Sequence, residues 1–174
     1  MKEYKEIQVA LLGLGTVGLG VYKVLQMQKE EMQHKIGTEI KIKKILVRNL
    51  EKAAGKIEDA SVLTDSWQEI VNDDEIQIVI EVMGGMEPAR TYIMEAMQAG
   101  KQVVTANKDL IAADGKELMD QAKKSGCDLL FEAAVAGAIP IIRPLKQCLA
   151  GNHLSEIMGI VNGTTNFILT KMAQ

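Results

Sequence analysis

A glycine-rich run near the start of the chain has the residue types and spacing of a phosphate-binding loop. It reads GLGTVG, directly after an apolar run at residues 7–12 and at the start of a helical pattern. Gly13 permits a tight turn, Gly15 lets the backbone approach a pyrophosphate, and Gly18 lets a helix pack closely on the preceding strand. The anion would lie on free N–H groups at the positive end of the helix dipole. The run predicts a dinucleotide site formed by Gly13, Leu14, Gly15, Thr16, Val17 and Gly18.

Basic residues follow the second predicted strand, at the position that distinguishes two dinucleotides. NAD sites place Asp or Glu there to bind the ribose hydroxyls, whereas NADP sites accommodate the 2′-phosphate with Arg. This sequence has Arg48, with Lys52 and Lys56 close by. Because a planar guanidinium suits phosphate, we expect NADP rather than NAD. The alternative is that Arg48 is a solvated charge beyond a strand.

Three further segments follow predicted strands. Gly84 and Gly85 would let the backbone approach the nicotinamide half of the cofactor, or would form a plain loop. Lys108 could orient a substrate carbonyl or stabilise negative charge that develops during hydride transfer, or lie on the surface. The small residues of 131–140 would expose carbonyl oxygens, which suit a hard cation, or form a close-packed domain junction.

These residues need strands that end at one common edge. Five apolar runs predict such strands, because parallel strands covered on both faces are nearly continuous in apolar residues. The strands are expected at residues 7–12, 40–47, 76–82, 102–105 and 128–131, with helices at 17–32, 88–99 and up to 125. A further short helix through Val71 would begin at Asp65 or Ser66, with Glu69 completing a capping box.

Strands that alternate with helices predict parallel β-α-β units in right-handed crossovers. We therefore expect an α/β fold, a doubly wound Rossmann-type parallel sheet over residues 1–135. The pattern then changes to a helix at 141–149, a strand at 156–161 and a helix from 164. Because the last helix stops at Gln174 without a stop signal, residues 136–174 are expected to begin a catalytic and dimerisation domain of α+β type within a larger chain.

The composition excludes several classes of protein. With 174 residues, a net charge of −3, 47% hydrophobic and 25% charged residues, the chain is globular rather than disordered. The acidic balance and 3% aromatic residues argue against binding nucleic acid. No apolar run approaches the ~20 residues that cross a bilayer. Two isolated cysteines, Cys127 and Cys148, predict buried thiols in a reduced cytoplasmic protein.

Five segments together resemble one family, the homoserine dehydrogenases. They are LLGLGTVG, EVMGG, VVTANKDLIA, FEAAVAGAIPII and GIVNGTTNFILTKM, in the family's order and spacing over essentially the whole chain. The resemblance implies reversible reduction of L-aspartate 4-semialdehyde to L-homoserine with NAD(P)H, on the route to threonine and methionine. It also implies a homodimer or larger assembly, with a catalytic domain after the nucleotide-binding domain.

The resemblance implies roles for individual residues. Lys108 looks like the family's active-site lysine, with Asn107, Gly84 and Gly85 among the cofactor-binding residues, and Arg48 looks like the residue that meets the 2′-phosphate. A sodium ion would be held, mostly through main-chain oxygens, by the segment that contains Glu132, Val135, Gly137 and Ile139. Gly163 and Thr164 resemble contributors to the substrate pocket, although Thr164 or Thr165 could instead cap a helix.

One departure from the family concerns the end of the sequence. The family binds the homoserine amino group and places a second catalytic lysine in a later segment of G-x-D-x-x-x-K type, which these residues lack. We therefore expect NADP(H) binding with little dehydrogenase activity. Two other classes remain open at this stage: a non-catalytic NAD(P)-sensing regulatory domain and a methyltransferase, although the latter would favour an acidic residue in place of Arg48.

Overall fold

A parallel sheet organises the part of the chain that the computed structural model describes, namely residues 6–137, 139–160 and 163–174. Within these ranges six strands lie in the order β3-β2-β1-β4-β5-β6. They are β1 (Glu6–Leu12), β2 (Glu39–Leu46), β3 (Leu63–Thr64), β4 (Ile76–Glu81), β5 (Gln102–Thr105) and β6 (Leu129–Leu130). The five predicted strands of the sheet are confirmed, and the two-residue β3 is an addition at its edge.

Helices connect the strands. They are α1 (Thr16–Met27), α2 (Lys29–Ile36), α3 (Leu50–Ala54), α4 (Gln68–Val71), α5 (Ala89–Gln98), α6 (Lys108–Ser125) and α7 (Gly163–Ala173). The predicted doubly wound Rossmann-type α/β sheet is therefore present.

The strand order reverses at β1, which pairs with β2 on one side and with β4 on the other. Leu12 lies opposite both Leu46 of β2 and Glu81 of β4, and Glu81 lies opposite Thr105 of β5. The carboxyl ends of these four strands are therefore level along one edge. Ligands of open α/β sheets bind outside that edge, at the point where the strand order reverses.

Alternating residues of β1 join the two cores of the sheet. Ala10 and Leu12 belong to the cluster that includes Ile93 of α5 and Leu118 of α6, whereas Leu11 belongs to the cluster on the opposite face. All three are fully buried. Burial on both faces explains why the strand reads as a continuous apolar run.

An aromatic pair joins the segment before α4 to α5. The ring of Trp67 stacks on that of Tyr92, with centroids 4.5 Å apart and an interplanar angle of 18°. The indole N–H of Trp67 donates to the carboxylate of Glu95. Because Trp67 is buried and its N–H is satisfied, this contact fixes α4 against α5.

The predicted helix at 17–32 is two helices rather than one. Helix α1 ends at Met27, and α2 begins at Lys29 after Gln28 leaves helical geometry. None of the residues of α2 is buried. The apolar stripe of α1 ends where the polar sequence of α2 begins, so no packing force keeps the two segments collinear.

The predicted capping box at Ser66 is wrong. Helix α4 starts at Gln68 after Trp67, with no side-chain cap. The Ser66 N–H donates to Thr64 Oγ1 at 3.0 Å, and the Glu69 carboxylate pairs with Lys44 Nζ at 2.9 Å. The burial of Trp67 sets the position of this turn, and a local capping motif cannot reveal that tertiary constraint.

The segment after residue 140 differs from the prediction. Residues 156–160 form no strand, and Val161 lies outside the described residues. The helix predicted at 141–149 is present over residues 142–148, but it is α-helical only at 142–143 and π-helical over Pro144–Cys148. A strand needs a hydrogen-bonded neighbour, and the described residues supply none here. The large apolar side chains of Ile157, Met158, Ile160 and Phe167 are exposed.

The two cysteines differ in burial. Cys127 is buried as expected, but Cys148 is exposed, because its π-helical turn lies outside the core clusters. Over the described residues, no helix is both long enough and apolar enough to cross a membrane.

Candidate functional site

The glycine loop lies between the carboxyl ends of β1, β2 and β4. Gly13 has a φ of 101°, and its N–H donates to the carbonyl of Leu46 at 2.9 Å. A Cβ on Gly13 would come within 3.2 Å of the Met83 Cα, and a Cβ on Gly18 would lie 2.1 Å from the Gly13 carbonyl oxygen. The loop, the start of α1 and the end of β4 therefore pack backbone against backbone.

Gly15 presents an open face at the start of α1. It is the N-cap residue, it makes no side-chain capping bond, and a Cβ there would meet nothing within 4 Å. Amides in the first turn of a helix have no intrahelical partners. This end of α1 therefore offers an anion both unblocked N–H groups and the positive end of the helix dipole, which fits a cofactor pyrophosphate.

A cleft of about 770 Å³ opens beside the loop. Its walls come from the glycine loop, the end of β2, α3, the loop after β4 and the start of α5. The residues that line it include Gly13, Leu14, Gly15, Arg48, Lys52, Lys56, Asp65, Met83 and Tyr92. Three cations face one carboxylate, so this end of the cleft is positively charged.

The three cations differ in their contacts. Lys56 Nζ donates to the Leu14 carbonyl at 3.0 Å, so that it ties α3 and the following turn to the glycine loop. The Asn49 side chain accepts from the backbone N–H of Lys52 at 2.8 Å and caps α3, a contact that does not involve the Lys52 ammonium group. Arg48 is exposed and makes no hydrogen bond or ion pair within the described part of the chain. Its guanidinium is therefore available to a ligand.

A buried polar network, which no local sequence pattern predicted, joins the ends of β4 and β5. Glu81 is fully buried, and its carboxylate accepts from the N–H groups of Met83 and Gly84 at 2.8 and 3.3 Å and from the Thr105 hydroxyl at 2.6 Å. Thr105 Oγ1 accepts in turn from the Asn107 N–H at 3.0 Å. A carboxylate in the last position of the mostly apolar strand IQIVIE is the signal that could have revealed it.

Asn107 connects two of the predicted site segments. Its Oδ1 accepts from the Leu110 N–H at 3.2 Å and caps α6, and its Nδ2 donates to the Gly85 carbonyl at 2.6 Å. Gly84 and Gly85 both have positive φ, at 73° and 76°. The structure therefore brings together Gly84, Gly85, Asn107 and the start of α6, as the sequence analysis expected of one sheet edge.

Lys108 occupies the first position of α6 and is exposed. It does not line the cleft beside Arg48, but lies farther along the same edge of the sheet. A lysine at a helix N-terminus faces the positive end of the dipole, which costs about 0.3–1 kcal/mol. Because Lys108 is a cation at an electrostatically unfavourable position and no structural contact within the described residues explains it, Lys108 is a candidate for a functional role.

The carboxylate of Glu132 is occupied by the backbone. It accepts from the N–H groups of Ile141, Ile142 and Arg143 and so caps the turn that follows. Burial alone would raise the pKa of Glu132, but the three N–H donors together hold it below its ordinary value. In the described residues no cluster of three or more His, Cys, Asp or Glu residues could hold a metal.

The main-chain oxygens of the same segment were expected to hold sodium. The Glu132 carbonyl accepts from the Val135 N–H at 3.2 Å. Those of Val135, Gly137 and Ile139 accept no main-chain hydrogen bond from the described residues, and Gly137 has a φ of 62°. Main-chain hydrogen bonds of the described residues therefore occupy the carbonyl of Glu132 but not these three carbonyls.

The predicted substrate segment lies at the start of α7. The helix begins at Gly163, so Thr164 and Thr165 fall within its first turn rather than before it. Thr164 is exposed, and it does not line the cleft beside the glycine loop. Asn162 lies outside the described residues.

Comparisons with protein families match almost the whole chain. The family model described as "Homoserine dehydrogenase, NAD binding domain" matches residues 13–132, and the one described as "Homoserine dehydrogenase" matches residues 140–174. Both matched ranges include candidate site residues. The first contains the glycine loop, Arg48 and Lys108, and the second contains Gly163 and Thr164.

Curated relatives and solved structures agree with these matches. The chain is 49% identical to a homoserine dehydrogenase of Bacillus subtilis and 44% identical to one of Corynebacterium glutamicum, over 97% and 95% of its own length. A crystal structure of a homoserine dehydrogenase from Thiobacillus denitrificans aligns with a TM-score of 0.84 at 47% identity over 97% of this chain and 39% of that one. A hyperthermophilic archaeal homoserine dehydrogenase in complex with NADPH aligns with a TM-score of 0.76 at 29% identity over 96% of this chain and 56% of that one.

The share of the relatives that is matched is smaller. The chain spans 39% of the Bacillus subtilis protein and 37% of the Corynebacterium glutamicum protein.

Proposed function

Because this chain belongs to the homoserine dehydrogenase family, we propose that it binds NADP(H) and takes part in the interconversion of L-homoserine and L-aspartate 4-semialdehyde. The observation that carries the proposal is the cleft at the point of strand reversal, where an unblocked helix N-terminus at Gly15 lies beside the cationic group around Arg48. Residues 1–135 would form the cofactor domain, and residues 136–174 would begin the catalytic and dimerisation domain.

The cofactor would lie along the carboxyl edge of the sheet. The glycine loop, Gly13 to Gly18, would hold the pyrophosphate, and the loop with Gly84 and Gly85, together with Asn107, would hold the nicotinamide half. When bound, the nicotinamide supplies a hydride acceptor for the alcohol or a hydride donor for the aldehyde. The dehydrogenases matched here support this reading over a regulatory dinucleotide sensor or a methyltransferase.

Arg48 would set the preference for NADP. It has no competing protein partner among the described residues, and a guanidinium binds a phosphate with two parallel hydrogen bonds. Lys52 lies on the same wall of the cleft and would add positive charge. Lys56 is committed to the Leu14 carbonyl and would instead stabilise the loop.

Titration with both reduced cofactors tests this assignment. We expect wild-type protein to bind NADPH more tightly than NADH, and Arg48→Ala to reduce that ratio by about tenfold, because charge-assisted hydrogen bonds to the 2′-phosphate are lost. Arg143→Ala is the matched control, since Arg143 is also exposed but lies outside the cleft. An unchanged ratio in Arg48→Ala would contradict the assignment.

Lys108 would act on the substrate oxygen. An ammonium group beside the reacting carbon would orient the carbonyl and stabilise negative charge on its oxygen during hydride transfer. Gly163 and Thr164 would contribute to the pocket for the amino-acid part of the substrate. An assay of L-homoserine with NADP⁺, followed by the absorbance of the reduced nicotinamide, tests this role: little activity is expected of these residues alone, and any measurable rate should fall in Lys108→Ala.

The proposal also includes a bound sodium ion, a homodimer and a cytoplasmic location. The carbonyls of Val135, Gly137 and Ile139 would hold the ion, with Glu132 shaping the segment rather than coordinating through its carboxylate. Exposed apolar side chains of residues 157–160 and α7 favour a homodimer, since such patches promote association. The free thiols of Cys127 and Cys148 fit a reducing cytoplasm, where threonine and methionine biosynthesis would use the reaction.

A further inference from the structure

A chain of buried side chains, which we call the buried relay, runs along the sheet edge at the nicotinamide end of the site. It consists of Glu81, Thr105 and Asn107, whose exposed fractions are 0%, 0% and 6%. It begins at the loop after β4, where Glu81 accepts from two backbone N–H groups, and ends at the Gly85 carbonyl, to which Asn107 donates. The relay therefore contacts the loop of residues 83–85 at both of its ends.

The relay is unusual because it buries a carboxyl group with no cation beside it among the described residues. In the described part of the chain Glu81 forms no salt bridge, and three hydrogen-bond donors satisfy its carboxylate instead. A buried charge is costly unless it is fully hydrogen-bonded, and an apolar residue would fill a strand end more stably. A network of this kind persists where a unique geometry is needed.

The geometry that the relay fixes involves two site segments. One is the loop with Gly84 and Gly85, whose backbone is left-handed at both positions and has no side chains to hold it. The other is the start of α6, which Asn107 caps immediately before Lys108. Because one amide group binds both segments, a shift of either would break a buried hydrogen bond.

We propose that the buried relay of Glu81, Thr105 and Asn107 is a positioning device that holds the loop of residues 83–85 and the start of α6 in one register, so that the nicotinamide half of the cofactor meets Lys108. The inference rests on the proposed function. It assigns to Glu81 and Thr105 a role that acts through the loop and the helix, without contact with the reacting atoms.

Binding of two ligands distinguishes a change at the buried relay from a change in the rest of the site. Adenosine 2′,5′-bisphosphate carries only the half of the cofactor that would face Arg48, whereas NADPH also carries the nicotinamide. We expect Thr105→Val to weaken NADPH binding by about tenfold and to leave the bisphosphate unaffected, because the variant removes the hydroxyl that joins Glu81 to Asn107. Thr105→Ser keeps the hydroxyl and should retain wild-type affinity for both ligands.

A second variant covers the case in which Thr105→Val fails to fold. Asn107→Asp keeps an oxygen that caps α6 but replaces the N–H donor to the Gly85 carbonyl by a carboxylate oxygen, which that carbonyl repels, so α6 should remain intact while the contact with Gly85 is lost. The same selective loss of NADPH affinity is expected.

The outcomes distinguish the inference from the function on which it rests. If the wild-type protein binds neither ligand, the proposed function is overturned and the inference with it. If the wild-type protein prefers NADPH over the bisphosphate but both variants bind NADPH normally, only the inference is overturned. Equal losses of both ligands would also overturn it, since they would indicate general destabilisation.

Discussion

At the scale of single residues, the site depends on positions where no side chain can be accommodated. Gly18 is the clearest of them, because its missing Cβ would lie 2.1 Å from the Gly13 carbonyl oxygen. Backbone atoms occupy that space, so no rotamer change can relieve the overlap. Close packing of this kind makes the glycine loop and α1 a single rigid unit.

We predict that Gly18→Ala lowers the free energy of unfolding by about 1–3 kcal/mol and weakens NADPH binding, because the methyl group forces the loop away from α1. Chemical denaturation and cofactor titration measure the two effects. Gly20→Ala is the control: it lies in the same helix, is exposed and has nothing within 4 Å of the added Cβ. It should raise the free energy of unfolding by about 0.5–1 kcal/mol. Similar behaviour of the two variants would refute this account of the loop.

The sequence indicated some site residues and not others, for a physical reason. The roles of Gly13 and Gly18 follow from covalent geometry, so a local motif reveals them. The hydrogen bond from Thr105 to Glu81 joins residues 24 positions apart in the sequence, and no local pattern encodes such a pairing. Only the oddity of a carboxylate at the end of an apolar strand marked its position.

At the scale of elements, Glu132 shows how a side chain can replace the missing partners of a helical turn. Three consecutive N–H groups, from Ile141 to Arg143, converge on its carboxylate. The orphan donors at the start of the turn are thereby satisfied by a residue nine to eleven positions earlier. This contact anchors the turn of residues 142–148 to the end of the sheet.

We predict that this anchor is lost in acid. The pKa of Glu132 is lowered in the folded protein, so its contribution to stability is present above the pKa of an unfolded glutamate and disappears as the pH falls through the folded value. Hydrogen exchange of the amides of residues 141–143, corrected for intrinsic rates, should show falling protection over that range. Glu132→Gln should show weaker protection at neutral pH with no such titration, and an identical pH dependence in the variant would contradict the prediction.

The elements themselves were predictable where burial follows a regular period. Strands β1 and β4 and helices α5 and α6 show clear apolar patterns, and their observed bounds lie close to the expected ones. The errors occur where tertiary contacts decide: Trp67 sets the start of α4, and the polar segment after Met27 ends α1 early. The strand expected at residues 156–161 has no neighbouring strand within the described residues, and an apolar run alone cannot supply one.

At the scale of the whole molecule, the proposed cofactor site is divided between two halves of the sheet. In the proposed arrangement the phosphate-binding end would be formed by β1, β2 and α3, and the nicotinamide end by β4, β5 and α6. The contact of Gly13 with the Met83 backbone joins the two halves at the centre. A change at one end should therefore leave the other end measurable, which is the basis of the two-ligand experiment on the buried relay.

The stacked pair of Trp67 and Tyr92 places an intrinsic fluorophore next to a residue that lines the cleft. Trp67 is the only tryptophan in the sequence and is shielded from water, while its partner Tyr92 lines the cleft. We predict that adenosine 2′,5′-bisphosphate, which does not absorb the emission of tryptophan, changes the intensity of Trp67 fluorescence on binding, and that Tyr92→Leu reduces this response. A response of equal size in Tyr92→Leu would show that the signal reaches Trp67 by another route. Such a response would let ligand occupancy be followed by intrinsic fluorescence, without any attached dye.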